Sequence, residues 1–182
     1  VYTVAITISS AELNALAELP HEFVDVPART VFVREGVPPK RCYLIVEGVA
    51  VRFNFTRGGG RQIHAVHISG DIPDLQSLHL TRTDHGIGSV SPCRLAMIEH
   101  QPLLTLLQNS PALYAKFWRE TQIDAALYRA MIIRIARLGA LERLAHLVCE
   151  LRLRFGAVGL VSEGGFNFPM TQEMVGEVLG LS

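Results

Sequence analysis

The sequence predicts an α+β fold: an antiparallel sandwich or roll of short strands, then one long α-helix, then a small helical module. Three observations carry this. From Glu22 to about Ile98, short segments rich in Val, Ile and Phe alternate with turn residues at roughly ten-residue intervals. From Ser110 to Leu138 there is no glycine, and the only proline is Pro111. After Gly139 the apolar spacing is again helical, and the last helix has a capping residue before it and a glycine stop after it.

Taken in order, Ser9 or Ser10 caps a short helix whose Leu13, Leu16 and Leu19 line one side, and Pro20 ends it. EFVDV, RTVFVRE, CYLIVEG, VAVRFNF, QIHAVHI, HGIGSVS and CRLAMIE then read as strands. Pro27, Gly36, Gly48, Gly58 to Gly60, Gly70-Asp71 and Pro92 punctuate them, and Gly58 to Gly60 reads as a hairpin tip. After Pro102 the pattern turns helical. In the long helix Ser110 is the candidate N-cap, with Pro111 in the first turn, where its missing N–H costs nothing. Phe117, Thr121, Asp124, Tyr128, Met131, Ile135 and Leu138 follow alternating steps of four and three, the spacing of a coiled-coil seam. Trp118, Ile123, Leu127, Ile132 and Ile133 add a second apolar face, so the helix has two partners: its own domain and, on this spacing, a second copy. A long core helix inside a monomer fits the same pattern. Leu141, Leu144, Leu147, Val148, Leu151 and Phe155 give the next helix its apolar face. Short β-like pieces precede the last helix, where Thr171 is the N-cap, Met174, Val175, Val178 and Leu179 face inwards, and Gly180 stops it.

Composition narrows the function classes. The 182 residues are 49% hydrophobic and 19% charged, enough to bury a real core. Formal net charge is +0, so no global field announces a polyanion partner. Locally, residues 116–154 hold eight basic and four acidic residues, which reads as a solvated or phosphate-facing surface. Cys42, Cys93 and Cys149 are few, odd in number and far apart, which favours a reducing cytoplasmic setting over a disulfide framework. VYTVAITISS lacks the basic start of a signal peptide, and no apolar run is long enough for a membrane span, so no membrane partner is expected.

The terminal stretch Thr171 to Ser182 carries the most chemistry. A capped helix with Gly176 at the fifth position from Gln172 and Gly180 at the ninth is the first half of a helix-turn-helix. An ordinary amphipathic helix ending at glycine has the same features. The rest of the chain adds to it: Gly36 in REG, Tyr43-Leu44-Ile45-Val46-Glu47-Gly48, Gly70-Asp71, and Leu141-Glu142-Arg143-Leu144-Ala145. With these residues in this order, the chain resembles the Crp/Fnr family of bacterial transcription regulators over nearly its whole length.

The resemblance implies a cyclic nucleotide-binding-like β-roll (a double-stranded jelly roll) over residues 1–109, a dimerisation helix over 110–138, and the start of a winged helix-turn-helix over 139–182. It implies a homodimer that binds DNA and works with RNA polymerase. Thr171, Gln172 and Ser182 match positions that contact DNA phosphates, which suits hydroxyls and free amides at helix N-termini. The base-reading helix would follow Ser182, so the chain is expected to be truncated at its C-terminal end. In the seam, polar Thr121 and Asp124 then read as register devices.

The same resemblance exposes a departure. Family members that bind cyclic nucleotides carry Gly-Glu-Leu and then Arg-Ser or Arg-Thr, where the glutamate holds the ribose and the arginine the phosphate. Asp74, Leu75 and Gln76 stand at the first three positions, and Thr83-Asp84 at the last two, with Arg82 one residue early. Asp84 would repel a cyclic phosphate. Tyr128 and Arg129 match effector-touching positions of the long helix. The expectation is an unidentified small-molecule effector or none, with a cyclic nucleotide response as the alternative if the loop shifts Arg82 into place. The family's cysteine cluster for iron–sulfur sensing is missing. No cofactor and no metal is expected, although His79 and His85 flank the loop. An enzyme of the cupin type is the remote alternative. It needs a His-x-His pair and a glutamate, whereas His64 and His67 are three apart and a strand would point them to opposite faces.

Overall fold

The computed structural model describes residues 7–181. Among them seven strands form: β1 His21–Val26, β2 Val31–Val33, β3 Arg41–Glu47, β4 Ala50–Phe55, β5 Arg61–His67, β6 Gly86–Ser89 and β7 Cys93–Glu99. They pair antiparallel in two sheets, one ordered β1-β7-β3 and the other β2-β6-β4-β5. Between the sheets lie Val26, Val33, Ile45, Ala50, Ile87, Cys93 and Leu95, the inward half of each alternation. The β4–β5 turn is the expected glycine tip, closed by Thr56 N–H to Gly60 O at 2.7 Å.

Helices α1 Ser10–Ala17 and α2 His100–Asn109 close one end of the roll. Leu19, Cys42, Ile98, Leu103, Leu107 and Leu113 pack there. Ser9 caps α1 in a reciprocal box with Glu12, so the first of the two candidate serines is the cap. Helix α3 runs over Pro111–Arg137, 27 residues, about 40 Å at 1.5 Å per residue. Ser110 precedes it, but its hydroxyl makes no capping bond; the carbonyl instead accepts from Tyr114 N–H. Pro111 at N1 alone matches the expected start.

Helix α4 Ala140–Ala157 and helix α5 Gln172–Leu179 cover the outer face of the four-stranded sheet. Leu147, Leu151, Phe155, Met170, Met174 and Leu179 pack on Val49, Val51, Phe53, Ile63, Val66 and Ile68. Only the second half of the expected α4 face is buried, since Leu141, Leu144 and Val148 remain exposed. The β-like pieces before α5 reduce to one bridge, Ser162 to Gly165. Thr171 Oγ1 accepts from Met174 N–H at 3.3 Å, and Gly180 takes the left-handed conformation at φ 64°.

One sequence expectation, that His64 and His67 point to opposite faces, is corrected here. The β4–β5 ladder steps from Phe53↔Ile63 to Arg52↔Ala65, leaving His64 as an extra residue. This bulge resets the strand's parity. Ile63 and Val66, three apart, therefore share the outer face, while His67 pairs with Ala50, an inner-core residue. His64 bonds Asn54 on the inner side, so the two histidines share a face rather than opposing each other.

The expected seam of α3 is also engaged within the chain. Phe117 packs on the end cluster, Asp124 and Tyr128 bind Arg52, and Met131 and Ile135 line a cleft with His64 and Leu147. Thr121 turns its hydroxyl back to Trp118 O at 2.7 Å, and Leu138 lies past the helix end as its C-cap. One step round the helix, Trp118, Ile132 and Ile133 are 57%, 67% and 62% exposed. Trp118 and Ile132, with Ala115, Gln122, Ala125, Arg129 and Ala136, form a second stripe at alternating steps of three and four, and Ile133 lies beside it.

Candidate functional site

Strand β4 reads V-R-F, and its period of two turns Arg52 inwards between outward Val51 and Phe53. The residue is 2% exposed. Its Nη1 donates to Asp124 Oδ2 at 2.6 Å and to the Tyr128 hydroxyl, and its Nη2 donates to the Pro73 carbonyl. Asp124 and Tyr128 are one helical turn apart on α3, so one face presents both. The guanidinium also lies 5.5 Å from the Tyr128 ring centre. Burial works against the Arg52 charge, but the Asp124 carboxylate and Tyr128 outweigh it. Burial pushes the Tyr128 phenol up to about 12, so it stays protonated.

Neutral imidazoles surround this pair. The His64 ring is 5.5 Å from Tyr128 and 6.3 Å from His85, and its Nε2 meets Asn54 Oδ1 at 2.8 Å. Burial first, then the Arg52 charge and the neighbouring His85, pull His64 down to about 4. His85 is lowered by the same burial and by Arg52, against Asp84 at 2.7 Å. His67 is lowered by complete burial, and its Nδ1 lies 3.3 Å from Asp71.

The predicted effector residues are only partly brought together. Gln76 reaches His85 Nε2 at 3.3 Å, Asp84 flanks His85, and Tyr128 holds Arg52. Asp74 is buried away from them, accepting Tyr43 N–H at 3.0 Å, and Leu75 is buried beside it. Arg82 donates to Gly36 O at 2.8 Å, and Thr83 donates to Arg34 O at 2.6 Å; both are committed to loop backbone. Arg129 is exposed on the outward stripe of α3. Arg52 itself is the residue that sequence reasoning missed. Its signal is a lone charge at an inward position of an otherwise apolar strand.

A second cluster joins the roll to the helical module. Arg61 grips Glu177 through Nε–Oε1 at 2.9 Å and Nη2–Oε2 at 2.6 Å, and Gln62 donates to Glu177 O at 2.6 Å. Asp71 accepts from Ile68 N–H at 2.9 Å and from Arg154 Nη2. Burial raises its pKa, but His67 and Arg154 outweigh burial and bring it to about 2. Thr171 and Gln172 are exposed at the start of α5, and Ser182 lies outside the described residues. Among the described residues, no helix is long and apolar enough to cross a membrane.

Residues 23–110 match the cyclic nucleotide-binding domain family. Electron transport regulator A of Shewanella oneidensis is 24% identical over 176 residues, covering 97% of this chain and 70% of that protein. Over nearly its whole length the chain is similar to transcription regulators of the Crp/Fnr type. Its fold agrees with solved structures. FixK2 from Bradyrhizobium japonicum superposes with a TM-score of 0.80 at 21% identity, covering 90% of this chain and 79% of that one. A CRP/FNR family transcriptional regulator from Thermus thermophilus, TTHA1359, gives 0.63 at 20% identity, covering 87% and 78%. In this fold the Arg52 cluster lies between the β-roll and the long helix.

Proposed function

We propose that this Crp/Fnr regulator works as a cytoplasmic homodimer on DNA, with a β-roll that senses something other than a cyclic nucleotide, or nothing at all. The division into a sensor over 1–109, a dimerisation helix over 110–138 and a DNA-binding part over 139–182 belongs to this reading, as does RNA polymerase as a partner. The observation that carries it is α3. One face is tied to the roll through Arg52, while the neighbouring stripe exposes Trp118 and Ile132, with Ile133 beside it. A second copy is the occupant that fits a heptad-spaced stripe on a 27-residue helix. Thr171 and Gln172, with Ser182, are then the phosphate contacts.

Against cyclic nucleotides, Arg82 and Thr83 are spent on backbone, and Asp84 stands exposed beside His85. A cyclic phosphate entering there meets a carboxylate first. The test is a band-shift of the full-length protein on a palindromic promoter site, with and without cyclic AMP. Salt-sensitive, sequence-selective binding that cyclic AMP leaves unchanged is expected. Binding that appears only with cyclic AMP would overturn the effector reading, and no selective binding would overturn the regulator.

The stripe has its own test. Ile132→Glu puts a charge in each copy's seam, so the dimer dissociation constant should rise at least about a hundredfold, read by sedimentation. An unchanged dimer would move the interface off this stripe.

A further inference from the structure

We propose that Arg52 is a resident substitute for an effector: its guanidinium occupies the space where a ligand would bridge sensor and helix, and pins α3 to the roll. This rests on the reading of the β-roll as a sensor. The side chain reaches three separate parts of the chain at once. It starts on β4, meets Pro73 in the loop between β5 and β6, and binds Asp124 and Tyr128 midway along α3. An external effector that couples roll to helix has to touch the roll and α3, both of which Arg52 already holds.

The chemistry of the site matches this occupant. Its partners are a carboxylate, a backbone carbonyl, a phenol oxygen and the face of an aromatic ring. All are acceptors for a flat cation, and a guanidinium fills such a set through several N–H groups at once. The polarity is opposite to that of a phosphate site. His64 and His85 beside it are held neutral, so Asp124 is the direct charge partner of Arg52. Both elements that carry the contacts are regular: β4 is a central strand, and α3 is unbroken through Asp124 and Tyr128. The latch therefore sets how α3 lies on the roll, and with it the direction of the outward stripe.

The test removes the cation and returns it. In Arg52→Ala, amide hydrogen exchange around Asp124 to Tyr128 should speed up at least about tenfold, because the helix loses its tether while the roll core stays protected. Methylguanidinium at millimolar concentration, far below denaturing levels, should restore the slow exchange, and methylammonium should not. Rescue should fail in Arg52→Ala combined with Asp124→Asn. If Arg52→Ala does not fold, Asp124→Asn in the wild-type background gives the same reading, with faster exchange in α3 and an unchanged roll. Unchanged exchange in α3, or a folded Arg52→Ala that methylguanidinium leaves loose, overturns the latch. A full-length protein that binds no DNA while its α3 is loosened and rescued overturns the regulator reading and leaves the latch standing.

Discussion

Gly48→Ala should destabilise the protein by about 3–4 kcal/mol, combining left-handed strain with overpacking against backbone. Gly48 joins β3 to β4 at φ 101°, a conformation that disfavours any Cβ. A Cβ built there would collide with Pro92 O and lie 2.9 Å from Cys93 Cα. Both are backbone atoms of the turn into β7, so relief requires moving a strand that pairs with β1 and β3. Cys93 Sγ, 2.7 Å away, is itself held by Val49 O at 3.3 Å. The melting temperature should drop by roughly 10 °C for a chain of this size. Gly36→Ala is the control. Its φ is 80°, but nothing lies within 4 Å of a Cβ there, so it carries the conformational term alone. Equal losses in the two variants would show that packing at Gly48 contributes nothing.

The parts legible in the sequence are those that local physics decides. Strand alternation, the glycine hairpin tip, Pro111 and the Thr171–Gly180 bracket are each settled within a few residues, and each stands where expected. The parts that were not legible depend on partners far along the chain. Arg52 meets Asp124 across 72 positions, and Arg61 meets Glu177 across 116. Nothing local to VAVRFNF or QEMVGEVL announces either pair. Parity arguments fail where one residue is inserted: His64 bulges, and everything after it in β5 changes face. The long helix fails differently. It carries two stripes with the same spacing, and periodicity cannot say which one faces inwards. The polar pair Thr121 and Asp124 marked the inward stripe, because Asp124 has a buried arginine to meet.

Asp74→Asn should stabilise the protein by up to about 4 kcal/mol at pH 8 and by almost nothing near pH 4. Burial pushes the Asp74 carboxyl up to about 7, against the opposing pull of the Tyr43 N–H and Arg52. The folded state therefore keeps a proton that the unfolded chain releases near 3.8. Between those values folding takes up a proton, so wild-type stability rises as pH falls through this window, and above pH 7 the whole cost of a buried carboxylate is present. Asparagine carries no charge to bury and still offers an oxygen to Tyr43 N–H, 3.0 Å from the present carboxylate. His64 acts in the opposite direction. Burial holds it down to about 4, so the unfolded chain binds its proton first, and stability is lost as pH falls from about 6.5 to 4. In the wild type the two groups offset each other across much of that range. His67 and His85, also held down by burial, add to the His64 loss in both proteins, so on acidification the Asp74→Asn variant should weaken more steeply than the wild type. Urea unfolding of both proteins at pH 5 and pH 8 reads this directly. A gain of the same size at both pH values would mean that Asp74 is not protonated in the fold.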